Sequence, residues 1–273
     1  MYNRIVCLTE EPTEILYRIG EEDRIVGISG FTVRPPRARK EKPKVSAFLT
    51  AKIDRILELE PDLALGFSDI QADIAAQLIR RGVEVHIFNH RSVTGILRTV
   101  RAVAALAGSP GKGERLATEL EAGLDRIRER AAALPRRPRV YFEEWYDPLI
   151  SGIRWVSELI ELAGGEDCFP EHRDAPLAKD RIIADPGEVV RRAPDVIIGS
   201  WCGRKFRPER VAARDGWAAI PAVAHGRLHE IKSALILQPG PAALTDGVEA
   251  IQRIVSDWAH ASAATRTTAP PTS

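Results

Sequence analysis

The sequence predicts an α/β fold of two Rossmann-like lobes, joined by a single long α-helix, with a ligand cleft between the lobes. Apolar residues recur every three or four positions from Leu116 to Leu134, which indicates one continuous helix of about 33 Å. On each side of it, short apolar runs alternate with amphipathic segments, as parallel sheets covered by helices require. The 273 residues suffice for two lobes of about 110–130 residues each.

The first lobe is predicted over residues 1–108 and opens with a strand at 4–8. A helix follows from Pro12 to Gly20, because proline suits a first helical turn and glycine suits a left-handed cap. The remaining elements are predicted in this order: a strand at 24–29, a basic, proline-bearing loop at 31–44, a short helix at 53–59, a strand at 63–67, a helix at 70–81 with Ile74, Leu78 and Ile79 inward, a strand at 83–89 and a helix at 93–107.

The connecting helix is predicted within 109–136, since Pro110-Gly111 end the preceding element and Pro135 ends this one. For the second lobe, at 137–260, we predict strands at 139–145, 196–200 and 227–231 and helices at 155–163, 188–192 and 241–258. The polar, proline-bearing tail at 261–273 is expected to be disordered.

The amino-acid composition argues against two classes of binding partner, nucleic acids and the membrane interior. The net charge of +1 provides no global field for nucleic acid, so no nucleic-acid partner is expected. No run approaches 18 apolar residues, and we therefore predict that the chain does not span a membrane. Three widely separated cysteines argue against a disulfide framework and are expected to be buried.

The apolar run at 5–8 is far too short for the core of a signal peptide. As written, the sequence carries no export signal. We therefore expect a cytoplasmic location if Met1 is the true start, and a periplasmic one if a leader has been removed.

One pattern occurs twice. Pro61-Asp62 precedes an apolar strand that ends in Gly66-Phe67, and Pro194-Asp195 precedes another that ends in Gly199-Ser200-Trp201. The repetition predicts two lobes of related design, each with an exposed aromatic residue at the carboxyl end of a strand, where open α/β sheets bind ligands.

Candidate ligand-binding residues therefore follow the predicted strands. They are Phe31, Arg34, Phe48 and Phe67 in the first lobe, and Glu143, Trp145, Tyr146, Trp201, Arg204, Lys205 and Gln238 in the second. Aromatic rings offer flat apolar area, while charged and amide groups bind peripheral polar groups of a ligand. Local packing of the aromatic rings and a merely solvated loop at 31–44 are the alternatives.

Catalytic motifs are missing from the sequence. Glu143 and Glu144 are neighbours on a strand and must face opposite ways, which argues against paired acid–base catalysis. The glycines at 108–113 lack the spacing of a phosphate loop, and the six histidines lack zinc-type spacing with the cysteines. We expect no catalytic residue, no metal site and no catalytic cofactor.

Several short motifs occur in a characteristic order: Arg4-Ile5-Val6-x-Leu8, Arg24-Ile25-Val26-Gly27-Ile28-Ser29, Leu57-x-Leu59-x-Pro61-Asp62-Leu63 and Leu162-Ala163-Gly164-Gly165-Glu166-Asp167. Together they resemble the substrate-binding proteins of cobalamin and iron–siderophore ABC importers, closest to the cobalamin-binding type. The similarity covers roughly residues 4–258.

This resemblance implies a monomeric, non-enzymatic protein that binds a corrinoid such as cobalamin, or alternatively a ferric siderophore, and delivers it to an ABC importer permease. Phe67 lies where cobalamin-binding relatives place an aromatic residue. Asp54 and Glu188 resemble the acidic residues that dock the permease, although strict spacing puts the second at Gly187. A cytoplasmic ligand-handling protein or enzyme that reuses the fold is the other hypothesis.

Overall fold

The computed structural model describes residues 1–267, and the chain forms two compact units. Unit 1 comprises Met1–Glu121 together with Gln238–Pro241. Unit 2 comprises Ala122–Leu237 and the described residues from Ala242 onward. The boundary lies inside the long helix, so the region predicted as a separate connector at 109–136 is divided between the two units.

Unit 1 contains a five-stranded parallel sheet. Its strands are β1 (Ile5–Cys7), β2 (Ile25–Ser29), β3 (Lys44–Ser46), β4 (Leu63–Phe67) and β5 (Val85–Phe88), in the order β3-β2-β1-β4-β5. Central strand β1 is completely buried, because helices cover both faces of the sheet. This double covering explains why its strands are continuous apolar runs.

The helices of unit 1 are α1 (Glu10–Arg18), α2 (Ala38–Glu41), α3 (Ile53–Leu57), α4 (Ala72–Arg80) and α5 (Val93–Leu106). Helix α2 lies in the segment predicted as a loop. Ile74 and Leu78 of α4 are buried as predicted, but Ile79 is 59% exposed, contrary to expectation. Its position, one residue after Leu78, turns it off the buried face.

The long helix α6 (Pro110–Ala132) has 23 residues, which corresponds to about 35 Å. Leu116, Leu120, Leu124 and Ile127 are all buried, and this confirms the predicted apolar face. The helix continues through Gly123 without a break.

Unit 2 contains the second sheet. Its strands are β6 (Arg139–Tyr146), β7 (Leu149–Ser151), β8 (Glu166–Asp167), β9 (Val196–Gly199) and β10 (Leu228–Glu230), in the order β10-β9-β6-β7, with β8 also paired to β6. All pairings are parallel except β6 with β7. Strands β7 and β8 were not predicted.

The helices of unit 2 are α7 (Arg154–Leu162), α8 (Gly187–Arg192), α9 (Pro208–Ala212), α10 (Pro221–Ala224), α11 (Ser233–Ile236) and α12 (Val248–Thr267), with a π-helical turn at Ala243–Gly247 before α12. Helix α12 extends through the first part of the tail predicted at 261–273. Residues 268–273 of that tail lie outside the described residues. The predicted class, two parallel-sheet α/β units, is confirmed. Among the described helices, none has both the length and the apolar character needed to cross a bilayer.

Candidate functional site

The carboxyl ends of the parallel strands in unit 1 meet at one edge of the sheet, which we call the unit 1 edge. Phe31 follows β2, Phe48 follows β3, and Ile70 follows β4. Over the described side chains, five of the eight exposed large hydrophobic residues lie in these loops: Phe31, Val33, Phe48, Leu49 and Ile70. Such a concentration of exposed apolar area is typical of a binding surface.

Gln71 links the loops of the unit 1 edge. Its fully buried side-chain amide donates to the carbonyl oxygen of Phe48 at 3.0 Å and to that of Leu8 at 3.5 Å. Its Oε1 accepts from the backbone N–H of Phe67 at 3.1 Å. Gln71 is not among the predicted residues, because nothing in its local sequence marks a buried amide.

Phe67 was expected to be exposed at its strand end, but its side chain is buried. The guanidinium of Arg91 lies over the ring, 5.0 Å from its centroid, and the His90 ring packs edge-on at 5.2 Å. Phe67 is therefore part of the core beside the unit 1 edge and not of its exposed surface. The His90 imidazole lies between the Thr99 hydroxyl (3.0 Å) and the Pro239 carbonyl (3.4 Å), and burial lowers its pKa to about 4.

Two carboxyl groups begin helix α1, directly after β1. Thr9 Oγ1 donates to Glu11 Oε1 at 2.7 Å, and the Glu11 side chain is almost completely buried. Burial raises the pKa of Glu10 to about 8 and that of Glu11 to about 7. The strand-end rule used for the aromatic residues would have identified both, since Glu10-Glu11 follow the first predicted strand.

Arg34 lies in the loop after β2, next to Val33, but its side chain pairs with helix α1. Arg34 Nε pairs with Glu14 Oε1 at 3.1 Å and lines a cavity of about 380 Å³ beside helix α1. No other predicted ligand-binding residue lines this cavity. Gln238, predicted for the second lobe, begins the segment Gln238–Pro241 that packs with unit 1.

The carboxyl ends of β6, β9 and β10 form a corresponding unit 2 edge, and a buried ion pair lies beneath it. The fully buried carboxylate of Glu143 accepts two hydrogen bonds from Arg214, at 2.5 and 2.9 Å, and one from Trp201 Nε1 at 2.9 Å. Glu143 and Trp201 were expected at the surface. Both are buried instead, because Arg214, far away in sequence, neutralises the carboxylate and lets the strand end close over it.

Trp201 is one of four aromatic rings in mutual contact, which form the aromatic cluster of Trp145, Tyr146, Trp201 and Phe206. Successive ring centroids lie 4.9, 4.6 and 5.1 Å apart. Trp145 and Tyr146 are half-buried, and Arg204 lies over both rings and donates to the Tyr146 hydroxyl at 2.9 Å. The structure thus brings together four of the predicted residues of the second lobe: Trp145, Tyr146, Trp201 and Arg204.

Cationic groups border this cluster. Arg204, Lys205 and Lys232 line a cavity of about 270 Å³ at the ends of β9 and β10. Lys232 pairs with Glu230 at 2.7 Å. Lys205 is exposed. This cavity can accept a negatively charged group.

Glu144 points away from Glu143, as the strand geometry predicts. Both of its oxygens accept from the buried guanidinium of Arg181, at 2.7 and 3.1 Å. One prediction about cysteines is wrong: Cys202 is exposed, in a turn after β9, whereas Cys7 and Cys168 are buried. Within residues 1–267, no cluster of three or more His, Cys, Asp or Glu side chains suits a metal ion.

The two acidic residues assigned to permease docking differ in their surroundings. Asp54 on α3 has an 89% exposed side chain with one ion pair to Arg81, at 3.6 Å. Glu188 on α8 is held by Arg191 at 2.6 Å and by Arg192 at 2.7 Å. Asp54 is therefore the more available of the two.

The family model described as "Periplasmic binding protein" matches residues 5–235. The chain belongs to this family. The predicted resemblance is thereby confirmed. Proteins of this family are non-enzymatic, and this chain is the substrate-binding component of an ABC uptake system.

Individual relatives span nearly the whole chain. An uncharacterized ABC transporter substrate-binding lipoprotein of Bacillus subtilis, YvrC, is 25% identical over 90% of this chain and 77% of its own length. A vitamin B12-binding protein of Vibrio campbellii is 26% identical over 86% and 83%. The crystallised periplasmic heme-binding protein RhuT from Roseiflexus sp. RS-1 is 26% identical, with a TM-score of 0.78 over 93% of this chain and 100% of that one.

Proposed function

We propose that this binding protein takes up a corrinoid, cobalamin or a close analogue. The observation that carries the proposal is the exposed apolar surface of the unit 1 edge, where Phe31, Phe48 and Leu49 surround the strand ends. A broad macrocycle of low net charge can cover such a surface, and burying it supplies the main driving force for binding. The vitamin B12-binding relatives support the same ligand class.

The unit 2 edge fits this proposal. The half-buried rings of Trp145 and Tyr146 offer a second flat surface, and Arg204 restricts their movement by its hydrogen bond to the Tyr146 hydroxyl. Rigid aromatic residues lose little entropy on binding. Glu143 and Trp201, both buried, act as positioning residues beneath this surface.

A ferric porphyrin or another anionic iron chelate is the second candidate. The Tyr146 oxygen is a potential iron ligand, and Arg204, Lys205 and Lys232 can pair with carboxylates. The similarity to a heme-binding protein points the same way. A corrinoid needs neither an iron ligand from Tyr146 nor cationic side chains for carboxylates. Substitution of these residues should therefore affect the two candidate ligands differently.

Calorimetric and absorbance titrations with cyanocobalamin, hemin and a ferric siderophore distinguish the corrinoid from the iron-chelate proposal. With a corrinoid ligand, Phe31→Ala/Phe48→Ala weakens binding at least about tenfold, whereas Tyr146→Phe changes it little. With hemin, Tyr146→Phe instead shifts the Soret band. Ile79→Ala is the control, because Ile79 is about as exposed as Phe31 (59% against 57%) but lies in the last turn of α4. Failure of cyanocobalamin to bind refutes the proposal.

Transfer to the importer involves the exposed acidic residues in this proposal. Asp54, with its single long ion pair, is the principal docking residue, and Glu188 contributes less because two arginines hold it. In a reconstituted importer, Asp54→Lys should reduce stimulation of ATP hydrolysis more than Glu188→Lys does. Equal effects would contradict this ranking.

A further inference from the structure

The cavity of about 270 Å³ at the ends of β9 and β10 is lined by three cationic side chains: Arg204, Lys205 and Lys232. All three residues are exposed, so their charged groups are within reach of a ligand. Arg204 also lies over the rings of Trp145 and Tyr146, 5.8 and 5.9 Å from their centroids. The cavity therefore adjoins the flat surface that we propose for the ligand.

The cavity carries more positive than negative charge. Of the described residues that line it, only Glu230 is acidic, and its carboxylate already pairs with Lys232 at 2.7 Å. Within residues 1–267, no carboxylate forms an ion pair with Arg204 or with Lys205. The hydrogen bond of Arg204 goes to the Tyr146 hydroxyl, which is uncharged. Two neighbouring cations thus lack a counter-charge, and an anion bound between them would supply it.

The donors of this cavity suit an anion with at least two oxygen atoms. A guanidinium presents paired N–H groups that match two oxygens of one phosphate or carboxylate, and an ammonium adds a compact charge with three donors. The Ser233 hydroxyl lines the same cavity and can donate a further hydrogen bond. Which anion binds there depends on the anionic groups that the ligand carries.

We propose that this cavity binds the phosphodiester of a ligand that carries a nucleotide arm. The inference rests on the proposed corrinoid function. The other arms around the ring of a cobalamin end in uncharged amides, so the phosphodiester is the one negatively charged group among them. Its oxygens accept from Arg204 and Lys205, while the ring lies against Trp145 and Tyr146. The protein should therefore distinguish cobalamin from cobinamide, which has the same ring but lacks the phosphodiester.

Calorimetric titration with whole corrinoids tests the charge of the cavity. Lys205→Gln should weaken cyanocobalamin about three- to fivefold at low ionic strength and leave dicyanocobinamide unchanged, because it removes a cation that only the phosphodiester contacts. Added salt should weaken cyanocobalamin in the same selective way. Lys179→Gln is the matched control, since Lys179 is an exposed lysine of unit 2 that does not line the cavity. If Lys205→Gln affects both corrinoids equally, or neither, the proposal is overturned.

A small probe tests the site without the ring. In ¹H–¹⁵N spectra, dimethyl phosphate should shift the backbone amide signals of Arg204, Lys205 and Ser233 saturably. Trimethyl phosphate has nearly the same shape but no charge, and it should bind at least about tenfold more weakly. No response to dimethyl phosphate, or an equal response to the two esters, contradicts an anion site.

The two titrations together separate this proposal from the wider one. If neither corrinoid binds but dimethyl phosphate does, the corrinoid function is refuted and the phosphodiester site is retained. If both corrinoids bind and Lys205→Gln changes neither, the phosphodiester site is refuted alone. Binding to phosphatidylglycerol vesicles that Lys205→Gln abolishes, without any selective effect on cyanocobalamin, would assign the phosphodiester to a lipid headgroup and also overturn the proposal.

Discussion

Arg214 holds the fully buried carboxylate of Glu143 through two hydrogen bonds, Nη1 to Oε2 at 2.5 Å and Nη2 to Oε1 at 2.9 Å. The same carboxylate accepts the indole N–H of Trp201. One ion pair thus fixes a buried ring of the aromatic cluster. The partners lie 71 residues apart in the chain, so the pair also joins the loop after α9 to strand β6.

Arg214→Met should destabilise unit 2 by about 3–5 kcal/mol, because it leaves a buried carboxylate without its counter-charge. Urea unfolding, followed by Trp fluorescence, measures the change. Arg55→Met is the matched control, since Arg55 forms a similar short ion pair with Glu58 but both side chains are more than half exposed. A small effect at Arg214, close to that of the control, would show that the carboxylate is neutralised in another way.

Burial of this kind marks the limit of what the sequence could predict. The fold followed from local patterns: the apolar face of α6 and the alternation of short apolar runs with helices were sufficient. The burial of Glu143 and Trp201 depends on Arg214, which no local sequence pattern associates with strand β6. Phe67 was misjudged for the same reason, because Arg91 and His90 cover it from the end of another strand.

Loops that stay exposed were easier to predict. Phe31 and Phe48 lie in loops that directly follow strands, and both side chains are exposed. The role of Gln71, which holds the Phe48 loop, could not be predicted, since a buried amide and a solvated one can have the same local sequence. The position of the site at the strand ends could therefore be predicted from the local sequence. Its side-chain contacts could not, because they involve residues that are distant in the chain.

Gln71→Leu should loosen the Phe48 loop, because the apolar side chain keeps the volume but loses the bonds to Phe48, Leu8 and Phe67. Hydrogen exchange at residues 47–52 is expected to accelerate at least about tenfold, with weaker ligand binding. Gln77→Leu on the exposed side of α4 should change neither. Unchanged exchange in the Gln71 variant would exclude this role.

The buried carboxyl of Glu11 predicts a loss of stability at raised pH. Burial raises its pKa to about 7 from an ordinary 4.5, so the folded state binds the proton more tightly than the unfolded chain does. This contribution is complete below about pH 4.5 and is lost as the pH rises through 7. Glu11→Gln should therefore gain stability relative to the wild type between pH 4.5 and 8 in thermal unfolding. If the stability difference between Glu11→Gln and the wild type does not change with pH, the raised pKa of Glu11 is contradicted.

His90 predicts the opposite dependence. Burial lowers its pKa to about 4, so the folded state favours the neutral imidazole, whose Nε2–H can donate to the Pro239 carbonyl. Its stabilising contribution is present above about pH 6.5 and is lost as the pH falls towards 4. His90→Gln keeps a donor and removes the titration, so it should flatten the acid limb of the unfolding curve. His86→Gln, at an exposed position on β5, is the control.

Two glycines in helix α6 should respond in opposite directions to the same change. A Cβ on Gly113 would lie 2.3 Å from the Cβ of Ala104 on α5, so Gly113→Ala forces the helices apart at a cost of about 1–3 kcal/mol. A Cβ on Gly123 meets nothing closer than the end of the Arg126 side chain, at 3.8 Å. Gly123→Ala should therefore stabilise the helix by about 0.5–1 kcal/mol.

Chemical denaturation of both variants measures these changes, and Ala104→Gly in the Gly113→Ala background should restore part of the loss, since it removes the opposing methyl group. The rescue separates close packing from a propensity effect, which would favour alanine at both positions. If Gly113→Ala is as stabilising as Gly123→Ala, helices α5 and α6 are not in close contact at Ala104.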